Sequence, residues 1–423
     1  MDALHLEIDG QTVRLNPRDP HFFNNPYPYY EALRQHAPVF YWHDFDLWCY
    51  LNHDDVSALL RDRRLGRQVT HLRPREQLGW PPIRADVKPF YAVDDLSIIQ
   101  QEPPNHTRLR GLVQKAFMAR QIESLRPGLE ALCHTLLDRV LDEHTAPAGF
   151  DLLTAYATPV PVTVIAQMLG VPTDTDTTDL LLRWSHAMVA MYELGRSPEQ
   201  ERRAVQATHD FVAFLKAVVT ERRKQPQRDL ISLLITAEEH GDRLTEDELI
   251  ASCIQLLNAG HEATVNVVGN GVFALLSNPE QWSLLTHDPH PRRIATAVEE
   301  LMRFDTPLHL FTRYVLEDAL VIRDQTYHFG QQVALLLGAA NRDPARFAHA
   351  SQLDISRPVE HNLHVSLGGG IHFCLGAPLA RLELAVALEA LVKRAPGLQL
   401  VEQPQYRDAY HFHGLRALRV RAA

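Results

Sequence analysis

The residues of this chain that could do chemistry concentrate in one short stretch. Leu367-Gly368-Gly369-Gly370-Ile371-His372-Phe373-Cys374-Leu375-Gly376 sets a cysteine in a glycine-rich loop, with a histidine two residues before it and a glycine two after. A run of helical character, Ala377-Pro378-Leu379-Ala380-Arg381-Leu382-Glu383, follows at once. Glycines lack a Cβ and tolerate positive φ, so such a loop can turn tightly and let a flat ligand approach its backbone. A cysteine just ahead of a helix start has its thiolate stabilised by the partial positive charge of that end. A thiolate so placed is suited to act as an axial ligand to haem iron, towards which it pushes electron density. Two other readings of the same residues stand beside this one. Any single cysteine can be an inert core thiol, and His361, His364, His372 and Cys374 offer the ligand types of a zinc site.

A second constellation lies upstream. Thr245-Glu246-Asp247-Glu248 is a capping box, in which the threonine hydroxyl and the glutamate side chain satisfy each other's backbone N–H. From there no proline interrupts the chain until Pro279, which predicts a helix of roughly 30 residues, about 45 Å long, apolar on nearly every side and crossing the core. Its middle, Ala259-Gly260-His261-Glu262-Ala263-Thr264, departs from that apolar character. A mid-helix glycine costs about 1 kcal/mol relative to alanine, and a buried glutamate costs more. Close helix packing for Gly260 and a surface ion pair for Glu262 are the plain accounts. Further on, Glu300 and Arg303 stand three apart on one helix face, a spacing that most often makes a solvated surface pair.

Taken together, these stretches resemble the signatures of the cytochrome P450 family, in the family's order and spacing, from about Pro26 to Val420. The cysteine loop matches Phe-Gly-x-Gly-x-His-x-Cys-x-Gly except that Leu367 replaces the phenylalanine. The resemblance implies haem b, iron protoporphyrin IX, as cofactor. Cys374 would ligate the iron, and Gly368, Phe373, Gly376 and Ala259 would bound the haem pocket. His106 and Arg110 of Asn105-His106-Thr107-Arg108-Leu109-Arg110, with Arg313 and His372, would serve the haem propionates, which need cations or hydrogen-bond donors. Glu300, Arg303 and Arg357 would form a buried structural cluster. Gly260, Glu262, Ala263 and Thr264 would form the catalytic segment, in which small residues make room for oxygen and an acid with a neighbouring alcohol delivers protons. Ala263 replaces the first alcohol of that pattern, so proton delivery is expected from Thr264, from water held by Glu262, or from a substrate hydroxyl.

The implied activity is monooxygenation of a hydrophobic small molecule, hydroxyl-bearing if the substrate itself assists proton delivery, with peroxide-driven oxygenation and a non-enzymatic haem sensor or carrier as the alternatives. The implied distal pocket draws on 68–99, Trp184 to Tyr192, Ala259, Ala263, Leu308 to Phe311 and Tyr410 to Phe412. Among these His309, Tyr410 and His411 could orient a polar group. No flavin or iron–sulfur module follows Ala423, so electrons are expected from NAD(P)H through a separate ferredoxin and ferredoxin reductase. Arg108, Lys115 and Arg120 are a basic patch that could steer such a partner.

The rest of the chain fits this picture. Its 423 residues are 45% apolar with a net charge of -10, which argues against a disordered or nucleic-acid-binding protein. Cys49, Cys133, Cys253 and Cys374 form no CxxC pair, as expected for a protein of the reducing cytoplasm. The first residues, Met1 to Glu7, carry no signal-peptide pattern, and no uncharged apolar run is long enough to span a membrane. Helical periodicity marks 125–141 and 208–223. Strand-like runs occur at 40–42, 47–51, 320–322 and 333–336. Turns are expected at Asn16-Pro17, 25–28, Pro103-Pro104 and 145–149. The prediction is a mainly α fold with a small β portion, the triangular P450 prism, in one domain over residues 1–423.

Overall fold

The computed structural model describes residues 4–141, 149–239 and 242–422. Met1 to Ala3 and positions 145–148 of the expected turn lie outside them. The long helix forms where its cap predicts, over Glu246–Ser277, 32 residues. The Glu248 N–H donates to the Thr245 hydroxyl at 3.2 Å and the Thr245 N–H to the Glu248 carboxylate at 2.9 Å. The helix ends at Asn278, and Pro279 opens the next helix, Pro279–His287, where its missing N–H costs nothing.

Helices Pro159–Leu169, Thr175–Val189, Pro291–Phe304 and Ala377–Arg394 pack around the long helix. Their apolar faces merge with it into one core that includes Ile254, Leu257, Val267, Leu301 and Leu384. The periodicity read at 125–141 and 208–223 is realised by Arg126–Val140 and Pro198–Lys224.

A seven-stranded sheet lies beside the helices. Its order is Glu7–Asp9, Thr12–Arg14, Val39–Trp42, Leu47–Tyr50, Gln332–Leu336, Leu310–Val315 and Leu65–Gly66. All four strand-like runs of the sequence are strands. The hairpin at 7–14 was not legible because three-residue strands carry too little alternation. Strand Leu310–Val315 pairs antiparallel with Gln332–Leu336, Arg313 opposite Val333. Alternation along it turns Phe311 and Arg313 to the same face, towards the helices.

Glu300, Arg303 and Arg357 meet in the core, all buried. Arg303 donates to both Glu300 carboxylate oxygens, at 2.7 and 2.8 Å, and to the carbonyls of Asn341 and Ala350. Arg357 reaches Glu300 at 3.1 Å, and the Asp354 N–H and Asn362 amide donate to the same carboxylate. A surface bridge would leave these groups in water; here the cluster joins the helix to the chain that leads into the cysteine loop.

Candidate active site

A cavity lies between the middle of the long helix and the cysteine loop, with Cys374 in its wall opposite Ala259, Gly260, Ala263 and Thr264. The loop is folded on itself: the Cys374 N–H donates to the Leu367 carbonyl at 2.9 Å and the Phe373 N–H to the Gly370 carbonyl at 3.2 Å. Gly370 has φ +65° and a Cβ there would come within 2.6 Å of the Leu60 carbonyl oxygen, so only glycine fits. Gly368 is also left-handed, at φ +71°. Gly376 differs: with φ -79° it caps helix Ala377–Arg394 without backbone strain and borders the cavity. Burial pushes the Cys374 thiol up. The Gly376 N–H, the guanidinium groups of Arg110 and Arg381 and the Ala377 N–H oppose that shift. Those donors are what a metal-bound thiolate needs around it.

On the facing helix, a Cβ at Gly260 would meet nothing nearer than Ile165 at 3.8 Å. Close packing therefore does not explain the glycine; it leaves room in the cavity wall. Ala263 presents its methyl to the same space. Thr264 lines it too, its hydroxyl donating to the Gly260 carbonyl at 3.0 Å and lying 3.4 Å from Glu383 Oε2. Glu262 departs from the expected placement. Its carboxylate turns out of the cavity wall to His186, at 2.9 Å, and Arg407, at 3.2 Å. Burial disfavours its charge, but His186 and Arg407 outweigh that and hold the carboxyl far below the usual range.

Of the expected propionate donors, Arg110, Arg313 and His372 line the cavity, and His106 packs against His372. Arg313 is buried, donates to the Thr312 carbonyl at 2.9 Å, and forms no ion pair among the described residues. Burial, then Arg67, pulls it down to about 9. His106 is buried with Nε2 unpartnered and stacks edge-on against His372, ring centroids 4.7 Å apart. Burial first, then His372 and Arg110, brings His106 down to about 4. His372 lies 3.3 Å from the Glu102 carboxylate. Arg110 borders the cavity but spends its donors on the Ile371 and Phe373 carbonyls, at 3.1 and 2.9 Å, bracing the cysteine loop.

Sequence reasoning missed two residues here. Arg67 lines the cavity with Nε unpartnered, one position ahead of the expected segment 68–99. Glu383 is fully buried in the cavity wall, and burial raises its carboxyl to about 8. An acid between Leu382 and Leu384 on an apolar helix was its signal.

The distal wall follows the expected segments in part. Val93, Ile98, Ile99, Met188, Val189, Leu308, Phe311 and Phe412 line it, an apolar surface. Trp184 instead packs on Phe211 and Phe214. His309 and Tyr410 turn into the core, both within hydrogen-bonding distance of the Tyr30 hydroxyl, while His411 stays in the wall. Of the expected basic patch, Arg108 is engaged with Glu248 at the start of the long helix. Arg61 and Arg110 lie beside the cysteine loop.

A slot with a thiol on one wall, small residues opposite and unpartnered donors at one edge fits a thiolate-ligated haem and its two carboxylates. The zinc reading fails on geometry: among the described residues, none of the groups whose ligand atoms converge closely enough to hold an ion contains His361, His364, His372 or Cys374.

Comparison with known proteins gives the same answer. The cytochrome P450 family model matches residues 83–287 and 294–395. The polyketide biosynthesis cytochrome P450 PksS of Bacillus subtilis is 35% identical over 423 residues, covering 97% of this chain and 99% of that one. The mycinamicin IV hydroxylase/epoxidase of Micromonospora griseorubida is 38% identical over 358 residues, covering 84% and 83%. A crystal structure of P450BioI in complex with acyl carrier protein ligated to hexadec-9Z-enoic acid superposes with a TM-score of 0.87 at 33% identity, covering 96% and 99%. The chain belongs to the cytochrome P450 family. It has the P450 fold, binds haem and is a monooxygenase of the oxidoreductase class. No helix among the described residues is long and apolar enough to cross a membrane.

Proposed function

We propose that this enzyme inserts one oxygen atom from O2 into an apolar small molecule bearing hydroxyl groups. The observation that carries the substrate class is a set of polar side chains, Ser97, Gln255 and Asn258, set among the apolar residues of the cavity wall. Ser97 Oγ, Gln255 Oε1 and Asn258 Oδ1 belong to wall residues and have no hydrogen-bond partner. An unmet buried polar group costs about 1–3 kcal/mol, so a ligand with matching hydroxyls is favoured over a hydrocarbon of the same shape. The relatives named for polyketide biosynthesis and for mycinamicin IV hydroxylation support this class by likeness.

In this reading haem held by Cys374 supplies oxygen activation and electron transfer. Arg67, Arg313, His106 and His372 bind its carboxylates, and Arg110 holds the loop that presents the thiolate. Gly260 and Ala263 keep space beside the reacting centre. Glu262, fixed by Arg407 and His186, does not reach that space directly. Glu383 holds a proton at its carboxyl at neutral pH and gives it to Thr264 Oγ, 3.4 Å away, as the Thr264 hydroxyl turns from the Gly260 carbonyl and passes its own proton into the cavity. A substrate hydroxyl set against Ala263 takes the place of the missing alcohol and completes the relay.

Electrons come from NAD(P)H through a ferredoxin and its reductase. The outer face of the cysteine loop supports such docking: Ile371 and Phe373 are exposed there, with Arg61 and Arg110 beside them. Four free cysteines accord with work in the reducing cytoplasm, and one domain over 1–423 is part of the same proposal. The test is reconstitution with a ferredoxin system under labelled dioxygen, using polyol macrolactones and their deoxygenated analogues. One labelled oxygen per product, with tighter binding of the hydroxylated series, is the expected result. Equal turnover with peroxide alone, without gain from the reductase system, would replace this with a peroxygenase.

A further inference from the structure

We propose that His186, His261 and Glu262 form a site for a divalent transition metal ion such as Zn2+, at the crossing of helix Thr175–Val189 over the long helix. Their ligand atoms all lie within 4.8 Å of one another. His186 Nε2 is 2.9 Å and His261 Nε2 3.9 Å from Glu262 Oε1. These separations bracket the spacing of about 3.3 Å that bonds of about 2.0–2.1 Å give around a tetrahedral ion.

The orientation of His261 is the independent observation. It is 1% exposed, and its Nδ1 lies 3.0 Å from the Leu257 carbonyl. A carbonyl only accepts, so Nδ1 carries the proton and Nε2 presents a lone pair. That Nε2 has no hydrogen-bond partner and faces a carboxylate oxygen, another acceptor. With His186 Nε2 also on Oε1, the three ligand atoms converge on one point, and a cation there would give the unpartnered His261 Nε2 its partner. An imidazole whose second nitrogen donates to a backbone carbonyl is also the usual setting of a metal-bound histidine.

The rest of the site suits a metal. Arg407 takes Glu262 Oε2 and His186 Nε2 meets Oε1, so an ion at Oε1 would replace that single N–H contact with bonds to both groups. The His186 side chain is 50% exposed, so an ion has a way in and a water can complete the coordination. The buried group Asp305, His309 and His413 lacks such an entry, and its carboxylate already takes the Tyr27 and Tyr406 hydroxyls. Metal at His186 would fasten the helix carrying Met188 and Val189 of the cavity wall to the helix carrying Ala259 to Thr264. The site does not depend on the substrate or reaction proposed above.

The test uses haem-loaded protein carrying His5→Ala, which dismantles the exposed His5–Asp19–His21 group that could also hold zinc. Calorimetric titration with zinc chloride should show one ion per chain, bound at least tenfold more weakly in His186→Ala and in His261→Gln. His186 is half-exposed, so its variant keeps the fold. Zinc-soaked crystals should give an anomalous peak between His186 Nε2 and His261 Nε2. Zinc affinity unmoved by His186→Ala, or anomalous density only elsewhere, would overturn the assignment.

Discussion

The Thr264 hydroxyl lies 3.4 Å from Glu383 Oε2, across the packed face between the long helix and helix Ala377–Arg394. Among the described residues Glu383 forms no ion pair, and the Thr264 hydroxyl favours its charged form against burial. A carboxyl in that position stays protonated at neutral pH next to the alcohol of the cavity wall.

Glu383 predicts a pH dependence with a definite sign. Its carboxyl titrates at about 8 in the fold against 4.5 ordinarily. Between those values the folded state holds a proton that the unfolded state has lost, so stability falls as pH rises, by at most about 1.4 kcal/mol per pH unit. Below 4.5 the effect vanishes. Glu383→Gln should flatten the stability profile between pH 5 and 8 and lower the coupling of electrons to product. Parallel unfolding profiles for the two proteins over that range would contradict a protonated Glu383.

Ala263→Thr restores an alcohol where the wall has a methyl. Coupling in the native enzyme is expected to drop severalfold with a deoxygenated substrate analogue, and the variant should recover most of that loss. The readout is product formed per NAD(P)H consumed. Equal coupling with both substrates in both proteins would remove the substrate hydroxyl from the relay.

Asn258→Leu tests the wall amide whose Oδ1 is unpartnered. Losing one buried hydrogen bond of about 1–1.5 kcal/mol corresponds to roughly tenfold weaker binding of a hydroxylated ligand. Binding of an analogue without that hydroxyl should stay the same or tighten. Spectral titration of both ligands decides it.

Cys374→Ser should abolish the strongly red-shifted Soret band of the reduced carbon monoxide complex, together with turnover. Cys49, Cys133 and Cys253 are buried and distant in sequence, and their serine variants should keep that band. A retained thiolate spectrum in Cys374→Ser would mean another ligand.

Glu300→Ala would strand Arg303 and Arg357 in the core. Breaking a buried pair costs about 3–5 kcal/mol, so little haem-loaded protein should be recovered. Full recovery with only a changed substrate preference would show that the cluster is not structural.

The sequence by itself determined the class of this protein. The thiolate loop and the capped helix with Gly260 in its middle are local patterns, and each survives into the fold because its spacing dictates its geometry, whereas the Glu300–Arg303 spacing fixes only a shared helix face and Arg357, 57 residues on, joins the pair in the core. The capping box starts the helix at Glu246, and the left-handed turn at Gly370 needs no distant partner to be read. What only the tertiary structure decided is where side chains between those patterns point. Glu262 is next to Ala263, yet about 100° of helix rotation separates them, and Arg407, 145 residues on, holds its carboxylate out of the cavity. Glu383, 119 residues from Thr264, becomes a proton holder through burial between two helices. His309 and Tyr410 leave the pocket because Tyr30 offers both a partner in the core. Charge and direction at these positions are set by neighbours brought from far along the chain, and spacing along one strand or helix carries no record of them.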